Sequence, residues 1–211
     1  MVKKICMFLV NRIKKEMPDI SSEREEAIEY GLELIVGELP KMILLVVIAF
    51  ILKIGWLVIC AYFTMLPYKI TAGGFHLKTH IGCTIGTLII YYGNVLLSQR
   101  IIIEPIYIKY TVIIALWIIS IIMISIYAPA DTINLPILRR KERRLKKILA
   151  YIFMTVTLVF ALIIKNNTIS NILIFNTLIE TLCITKIAYK LTKNQYGYKT
   201  YKLQGEIWIW I

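Results

Sequence analysis

Six apolar segments separated by short polar connections are the feature that most limits what this chain of 211 residues can fold into. Hydrophobic residues make up 58% of the chain and its mean hydropathy is +0.71, whereas soluble domains are closer to half apolar. Lipid is therefore expected to surround much of the folded chain. The segments cover about residues 36–52, 55–67, 82–97, 110–128, 148–164 and 169–189.

The lengths of these segments predict helices that cross a bilayer, because one crossing takes roughly 20 residues and at least about 17. The fourth, fifth and sixth segments reach that length, whereas the second is short and ends at Pro67. The third contains three glycines, and interrupted spans of this kind are where non-helical backbone can line a site. We predict an all-α polytopic membrane protein with about six transmembrane helices, forming a single integral membrane domain over residues 1–211.

The first 20 residues predict a further helix that lies on the membrane surface. Apolar and basic positions alternate there, as in helices that rest among lipid headgroups. Ser22 and Glu25 then form a capping-box pattern, which predicts the start of the next helix.

The distribution of charge predicts the orientation of the chain. It carries 25 Lys and Arg against 13 Asp and Glu, a net charge of +12. With six crossings and a cytoplasmic N-terminus, the basic clusters fall in the inside segments 1–35, 68–81, 129–147 and 190–211, as the positive-inside rule requires. We expect a multi-pass protein of the cell membrane that contacts anionic lipids. No nucleic-acid partner is expected, because the basic runs flank apolar spans and no recognition motif is present.

The central loop, predicted over residues 68–83, holds the residues most suited to chemistry. A Gly-Gly-Phe-His sequence ends at His76 and is followed seven residues later by Cys83, in a chain with only two histidines and four cysteines. Imidazole is the usual base that activates a thiol. On one straight helix the two residues would lie about 10.5 Å apart along the axis, so the pair requires a backbone that folds back at its glycines. We predict His76 on the loop and Cys83 in the first turns of the third apolar helix, where the helix N-terminus favours a thiolate.

Two other interpretations of this segment stay open. Cys83 is a buried thiol beside an unrelated loop histidine in the first. In the second, His76, His80 and Cys83 are metal ligands on one continuous helix. The glycines argue against such a helix and no nearby carboxylate orients the ligands, so we predict neither a metal nor a cofactor.

Several residues are weaker candidates for supporting roles. Lys69 stabilises a thiolate or extends its charge to the membrane surface, and Gly74 supplies backbone freedom. Asp131 orients an imidazole or acts as a turn residue between two prolines. The predicted basic loop 129–147 contacts lipid headgroups or an acidic peptide. Its candidate substrate-binding residues are Arg139, Arg140, Lys141, Arg143 and Arg144.

The chain resembles the accessory gene regulator protein B family, the AgrB-like membrane endopeptidases of Gram-positive quorum sensing. The resemblance depends on the Gly-Gly-Phe-His-x6-Cys arrangement, on the Tyr-Ala-Pro-Ala-Asp-Thr turn at 127–132 and on the cationic run after it. It implies that Cys83 is the nucleophile and His76 its base. The implied substrate is an AgrD-type propeptide, which is cleaved through an acyl-thioester and cyclised to a thiolactone or lactone autoinducing peptide. Members often carry arginine where this chain has Lys69, which puts a bidentate clamp at this position in doubt.

Two functions that do not depend on this resemblance are kept as alternatives. Interrupted second and third spans also suit a transporter or peptide exporter without covalent catalysis, and the histidines suit a metal-dependent hydrolase. The Gly82-x-x-x-Gly86 pattern indicates helix packing and, with the resemblance, predicts a homodimer. The Tyr- and Trp-rich end (residues 196–210) matches no part of the family pattern and is interpreted as an interfacial aromatic tail.

Overall fold

A computed structural model describes residues 2–16, 22–77, 79–133 and 136–203, without the side chains of 2–6, 16, 22–27, 29–31, 33–35, 80 and 201–203. The described residues form helices joined by short loops and contain no β-strand, so the prediction of an all-α fold is confirmed. The helices are α1 (Val2–Glu16), α2 (Ser22–Ile51), α3 (Gly55–Ala72), α4 (His80–Arg100), α5 (Ile106–Tyr127), α6 (Arg140–Ile163), α7 (Asn167–Cys183), α8 (Lys186–Leu191) and α9 (Gly197–Leu203).

The chain divides into two compact units, Met1–Gly55 and Trp56–Ile211. In the first unit α1 packs against α2, which begins at Ser22 and continues through Pro40. Residues 17–20, the last four of the helix predicted over the first 20 residues, lie outside the described residues. The position of α1 on the membrane surface and the single domain over the whole chain stay predictions.

Three helices of the second unit are long and apolar enough to cross a bilayer. They are Ile81–Arg100, Ile106–Tyr127 and Arg140–Ile163, with mean hydropathies of 1.5, 2.3 and 1.9 in their most apolar windows. The chain is therefore a membrane protein, as predicted. The number of about six crossings stays a prediction, since no other helix of the described ranges is both long enough and apolar enough to cross a bilayer.

The sixth apolar segment is not one continuous helix. α7 ends at Cys183 and α8 begins at Lys186. Thr185 separates them, and its hydroxyl oxygen accepts a hydrogen bond from the Ala188 amide at 3.4 Å, which caps α8. A capping threonine satisfies an amide that has no partner within its helix, so it favours a new helix start where hydropathy predicts an unbroken span.

α7 lies at the centre of the second unit and packs against α4, α5, α6 and α8. A buried network of amides joins it to its neighbours. Asn176 donates to the Ala61 carbonyl at 2.9 Å and to Thr64 Oγ1 at 2.8 Å, and accepts from Asn94 Nδ2 at 2.7 Å. Lipid offers no hydrogen bonds, so these polar groups are stabilised by bonding to one another inside the unit.

Candidate active site

The loop that carries His76 is shorter than the predicted segment 68–83. α3 continues to Ala72 and α4 begins at His80, which leaves residues 73–79 between them. Leu77 packs back along α4: a Cβ added to Gly86 would lie 3.1 Å from Leu77 Cδ1, and one added to Gly82 would lie 3.9 Å from Leu77 Cβ. In the described part of the chain the Gly82-x-x-x-Gly86 face thus receives a loop side chain. The homodimer stays a prediction.

Backbone pairing fixes the start of this loop against the turn at residues 128–133. The Gly74 amide donates to the Ala130 carbonyl at 2.9 Å, and the Ala130 amide donates to the Ala72 carbonyl at 2.8 Å. Gly73 has φ of +81°, and a Cβ added there would overlap the carbonyl oxygen of Ala130. Only glycine combines this conformation with so close an approach.

His76 and Cys83 lie on either side of the start of α4. His76 is exposed on the loop, whereas Cys83 is half-buried in the first turns of the helix. Thr79 caps α4: its Oγ1 accepts from the Gly82 amide at 3.0 Å, and its carbonyl accepts from the Cys83 amide at 2.9 Å. Sequence analysis missed this cap, although threonine directly before a helix is a recognised signal.

Lys69 and Gly74 both lie beside α7. Lys69 is half-buried in the last turn of α3 and interacts electrostatically with Glu180 and Cys183. A Cβ added to Gly74 would lie 3.6 Å from Glu180 Oε1 and 3.7 Å from Cys183 Cβ. Glu180 is fully buried, and among the residues that the structure describes neither of its oxygens has a hydrogen-bond partner. Sequence analysis also missed this carboxyl, for which the signal is a lone acidic residue in an apolar segment.

The Asp131 carboxylate holds the turn together. It is buried, and its Oδ2 accepts from the amides of Ile137 at 3.0 Å and Tyr198 at 2.8 Å. Arg143 Nη1 also donates to Oδ2, at 3.1 Å. Asp131 therefore joins the turn, the start of α6 and the start of α9, and its predicted role toward an imidazole stays a prediction.

Arg143 differs from the other candidate substrate-binding cations because it faces inward. Its guanidinium also donates to the carbonyls of Ile137 at 3.2 Å and Pro129 at 3.1 Å, and lies 4.2 Å from the centre of the Tyr198 ring. Arg143 is therefore less suited to contact a substrate, and the prediction of such a contact now concerns only the exposed cations of the run. These are Arg139, Arg140, Lys141 and Arg144.

Arg143→Ala is expected to lower the free energy of unfolding by about 3–5 kcal/mol, because it removes the cation from a buried carboxylate. The matched change Arg144→Ala, on the exposed neighbour, is expected to alter it by less than about 0.5 kcal/mol. Chemical denaturation of both variants in the same detergent measures the difference. Equal losses would show that Asp131 does not depend on Arg143.

The aromatic segment that we interpreted as an interfacial tail packs onto the turn where it is described. Tyr189 is buried, donates to the carbonyls of Ala130 at 2.9 Å and Asp131 at 3.2 Å, and stacks on Tyr196 with ring centres 4.1 Å apart. Burial, with a smaller effect of Tyr127, raises the pKa of Tyr196, whose hydroxyl donates to the Ile184 carbonyl at 2.9 Å. Both tryptophans of the predicted tail lie beyond residue 203, outside the described residues.

The position of His76 is relevant to the alternative in which His76, His80 and Cys83 bind a metal ion on one continuous helix. His76 precedes α4, so it does not align with Cys83 on a continuous helix. Among the described side chains, no group of three His, Cys, Asp or Glu could hold a metal ion. The His80 side chain lies outside that set.

A family model described as accessory gene regulator B matches residues 6–184. This range includes the loop at 73–79 and the turn at 128–133, and it ends before α8. No curated protein and no solved structure matches the chain.

Proposed function

Because the chain belongs to the accessory gene regulator B family, we propose that it is a membrane cysteine endopeptidase acting on an AgrD-type propeptide. Family membership places the chain in the processing of a quorum-sensing peptide. The observation that carries the proposal is the loop at 73–79, which folds back along α4, so that His76 and Cys83 lie on either side of one helix start. In this proposal the imidazole reaches the thiol beside the helix start and activates it as a nucleophile.

In the proposed reaction the imidazole of His76 takes the proton from Cys83 Sγ. The thiolate attacks the carbonyl carbon of one peptide bond and forms a tetrahedral intermediate. When the intermediate collapses, the C–N bond breaks, the imidazolium gives its proton to the leaving amine, and the N-terminal fragment remains on Cys83 as a thioester. A thiol or hydroxyl within that fragment then attacks the thioester, closes a thiolactone or lactone ring and releases Cys83. Ring closure competes with hydrolysis, so the site must exclude water.

The start of α4 supports the thiolate form of Cys83. The positive end of the helix dipole favours a negative charge in the first turns of the helix. Because the amides of Gly82 and Cys83 already bond to Thr79, an oxyanion would be bound by the amides that precede them in the first turn.

The start of α6 supports recognition of an acidic tail on the propeptide. Arg139 is the N-cap residue of this helix, and its side chain makes no capping hydrogen bond. First-turn amides that lack a cap attract anions, and the exposed cations beside them add to that attraction. This helix follows the turn that pairs with the His76 loop, so a tail held here would lie on the same side of the molecule.

Mass spectrometry of the intact protein tests this function. Full-length protein in lipid vesicles is mixed with a synthetic peptide that has an amphipathic N-terminal helix, a central cysteine and an acidic tail, and the reaction is stopped with acid. We expect an adduct on Cys83 whose mass equals that of the N-terminal fragment minus one water. Intact peptide inside the vesicles without an adduct would instead favour the transporter.

A further inference from the structure

The three-residue stretch from Gly74 to His76 is held at both of its ends. At the first end the Gly74 amide donates to the Ala130 carbonyl at 2.9 Å. At the second end Asn194 Nδ2 donates to the His76 carbonyl at 2.8 Å. Tyr189 connects the two anchors, because its hydroxyl donates to the same Ala130 carbonyl at 2.9 Å.

Asn194 is itself fixed to the body that holds the other end. The backbone amide of Asn194 donates to the Tyr189 carbonyl at 2.8 Å, and its side-chain Nδ2 also donates to Thr192 Oγ1 at 2.9 Å. Lys193, with φ of +54°, turns the chain so that both bonds form. The contacts close a ring from Ala130 through Gly74, His76, Asn194 and Tyr189 back to Ala130.

We propose that Asn194 is a positioning residue that sets the place of His76 relative to Cys83, an inference that depends on the proposed function. A base must come within about 3 Å of the proton that it removes, and a displacement of about 1 Å can cost roughly 100-fold in rate. Asn194 fixes the backbone of His76 itself, whereas the pairing with Ala130 acts two residues earlier. It also lies beyond residues 6–184, so residues outside the family match give the loop this support.

Alkylation of Cys83 tests the role of Asn194 without a peptide substrate. Full-length protein in detergent is treated with iodoacetamide between pH 5 and 9, and the modification of each cysteine is followed by mass spectrometry. Cys60, in α3, serves as the internal reference. We expect His76→Ala to slow alkylation of Cys83 about tenfold at neutral pH, because the thiolate fraction falls when its partner is lost.

Asn194→Ala and the isosteric Asn194→Asp, which lacks the donated N–H, are expected to move the pH profile of Cys83 toward that of His76→Ala. The control Thr192→Val removes the hydroxyl that also accepts from Asn194 Nδ2 but keeps the bonds of Asn194 to His76 and Tyr189, and it is expected to move the profile much less than either Asn194 variant. A constant Cys60 rate shows that the fold is intact. If Asn194→Ala changes the alkylation rate of Cys60, the pH profile of Cys83 in Asn194→Asp is used in its place to test the role of Asn194.

Two results would overturn the inference alone. One is a wild-type profile for both Asn194 variants while His76→Ala is slow, and the other is an equal loss in Thr192→Val, which would indicate a general effect of the tail. A wild-type profile for His76→Ala would overturn the proposed pair of His76 and Cys83, and the role of Asn194 with it.

Discussion

Cys83→Ala is expected to abolish cleavage of the precursor peptide, because no other group in the proposed reaction can form the thioester. His76→Ala is expected to slow cleavage by about 100-fold to 10,000-fold, the usual contribution of a general base. Appearance of the N-terminal fragment, followed by liquid chromatography with mass spectrometry, measures both losses. Immunoblotting of the membrane fraction verifies that each variant is present at the wild-type level.

The chain provides a matched control for each of these changes. Cys60→Ala removes a half-buried thiol from α3, and His80→Ala removes the second histidine. Both are expected to cleave at close to the wild-type rate. Normal processing by Cys83→Ala or His76→Ala would refute the assignment of the nucleophile or the base. Loss of activity in His80→Ala, together with inhibition by a chelator, would favour the metal-dependent hydrolase.

Counting charges grouped loops that lie in contact in the structure. The positive-inside rule predicted that residues 1–35, 68–81, 129–147 and 190–211 share one side of the membrane, and the structure brings the last three of these segments into contact. Gly74 bonds to Ala130, and Asp131 bonds to Tyr198. These contacts agree with a shared side for the three segments, whereas the orientation of the chain stays a prediction. Hydropathy predicted one span at residues 169–189, whereas in the structure α7 ends at Cys183 and α8 begins after the capping Thr185. One threonine changes the mean hydropathy of such a segment too little to reveal the break.

Some roles that the sequence did not reveal depend on distant partners. Asn194 contacts His76 across 118 positions of the chain, and no local pattern records such a pair. Arg143 and Arg144 are equivalent in a basic run, yet the fold turns one onto Asp131 and leaves the other exposed. Local signals therefore predicted an all-α fold, a loop at His76 and a turn near Asp131, whereas the bounds of several elements and the contacts between them required coordinates.

Gly73→Ala is expected to disrupt the pairing of the His76 loop with the turn. The added Cβ would overlap the carbonyl oxygen of Ala130, and alanine at a φ of +81° adds about 1–3 kcal/mol of strain. The overlap is with backbone, so no change of side chain at Ala130 can relieve it. Because the loop must shift, we expect cleavage to fall by at least about 100-fold and the free energy of unfolding to fall by about the strain.

Gly93→Ala is the matched control for this change. Gly93 lies inside α4, and no described atom beyond its own surroundings in the helix lies within 4 Å of a Cβ added there. Alanine is therefore expected to stabilise the helix by about 0.5–1 kcal/mol and to leave cleavage unchanged. Cleavage assays and chemical denaturation of the two variants in one detergent give the comparison. If Gly73→Ala cleaves as fast as Gly93→Ala, the position of His76 does not depend on the turn, and the folded-back loop no longer supports the proposed chemistry.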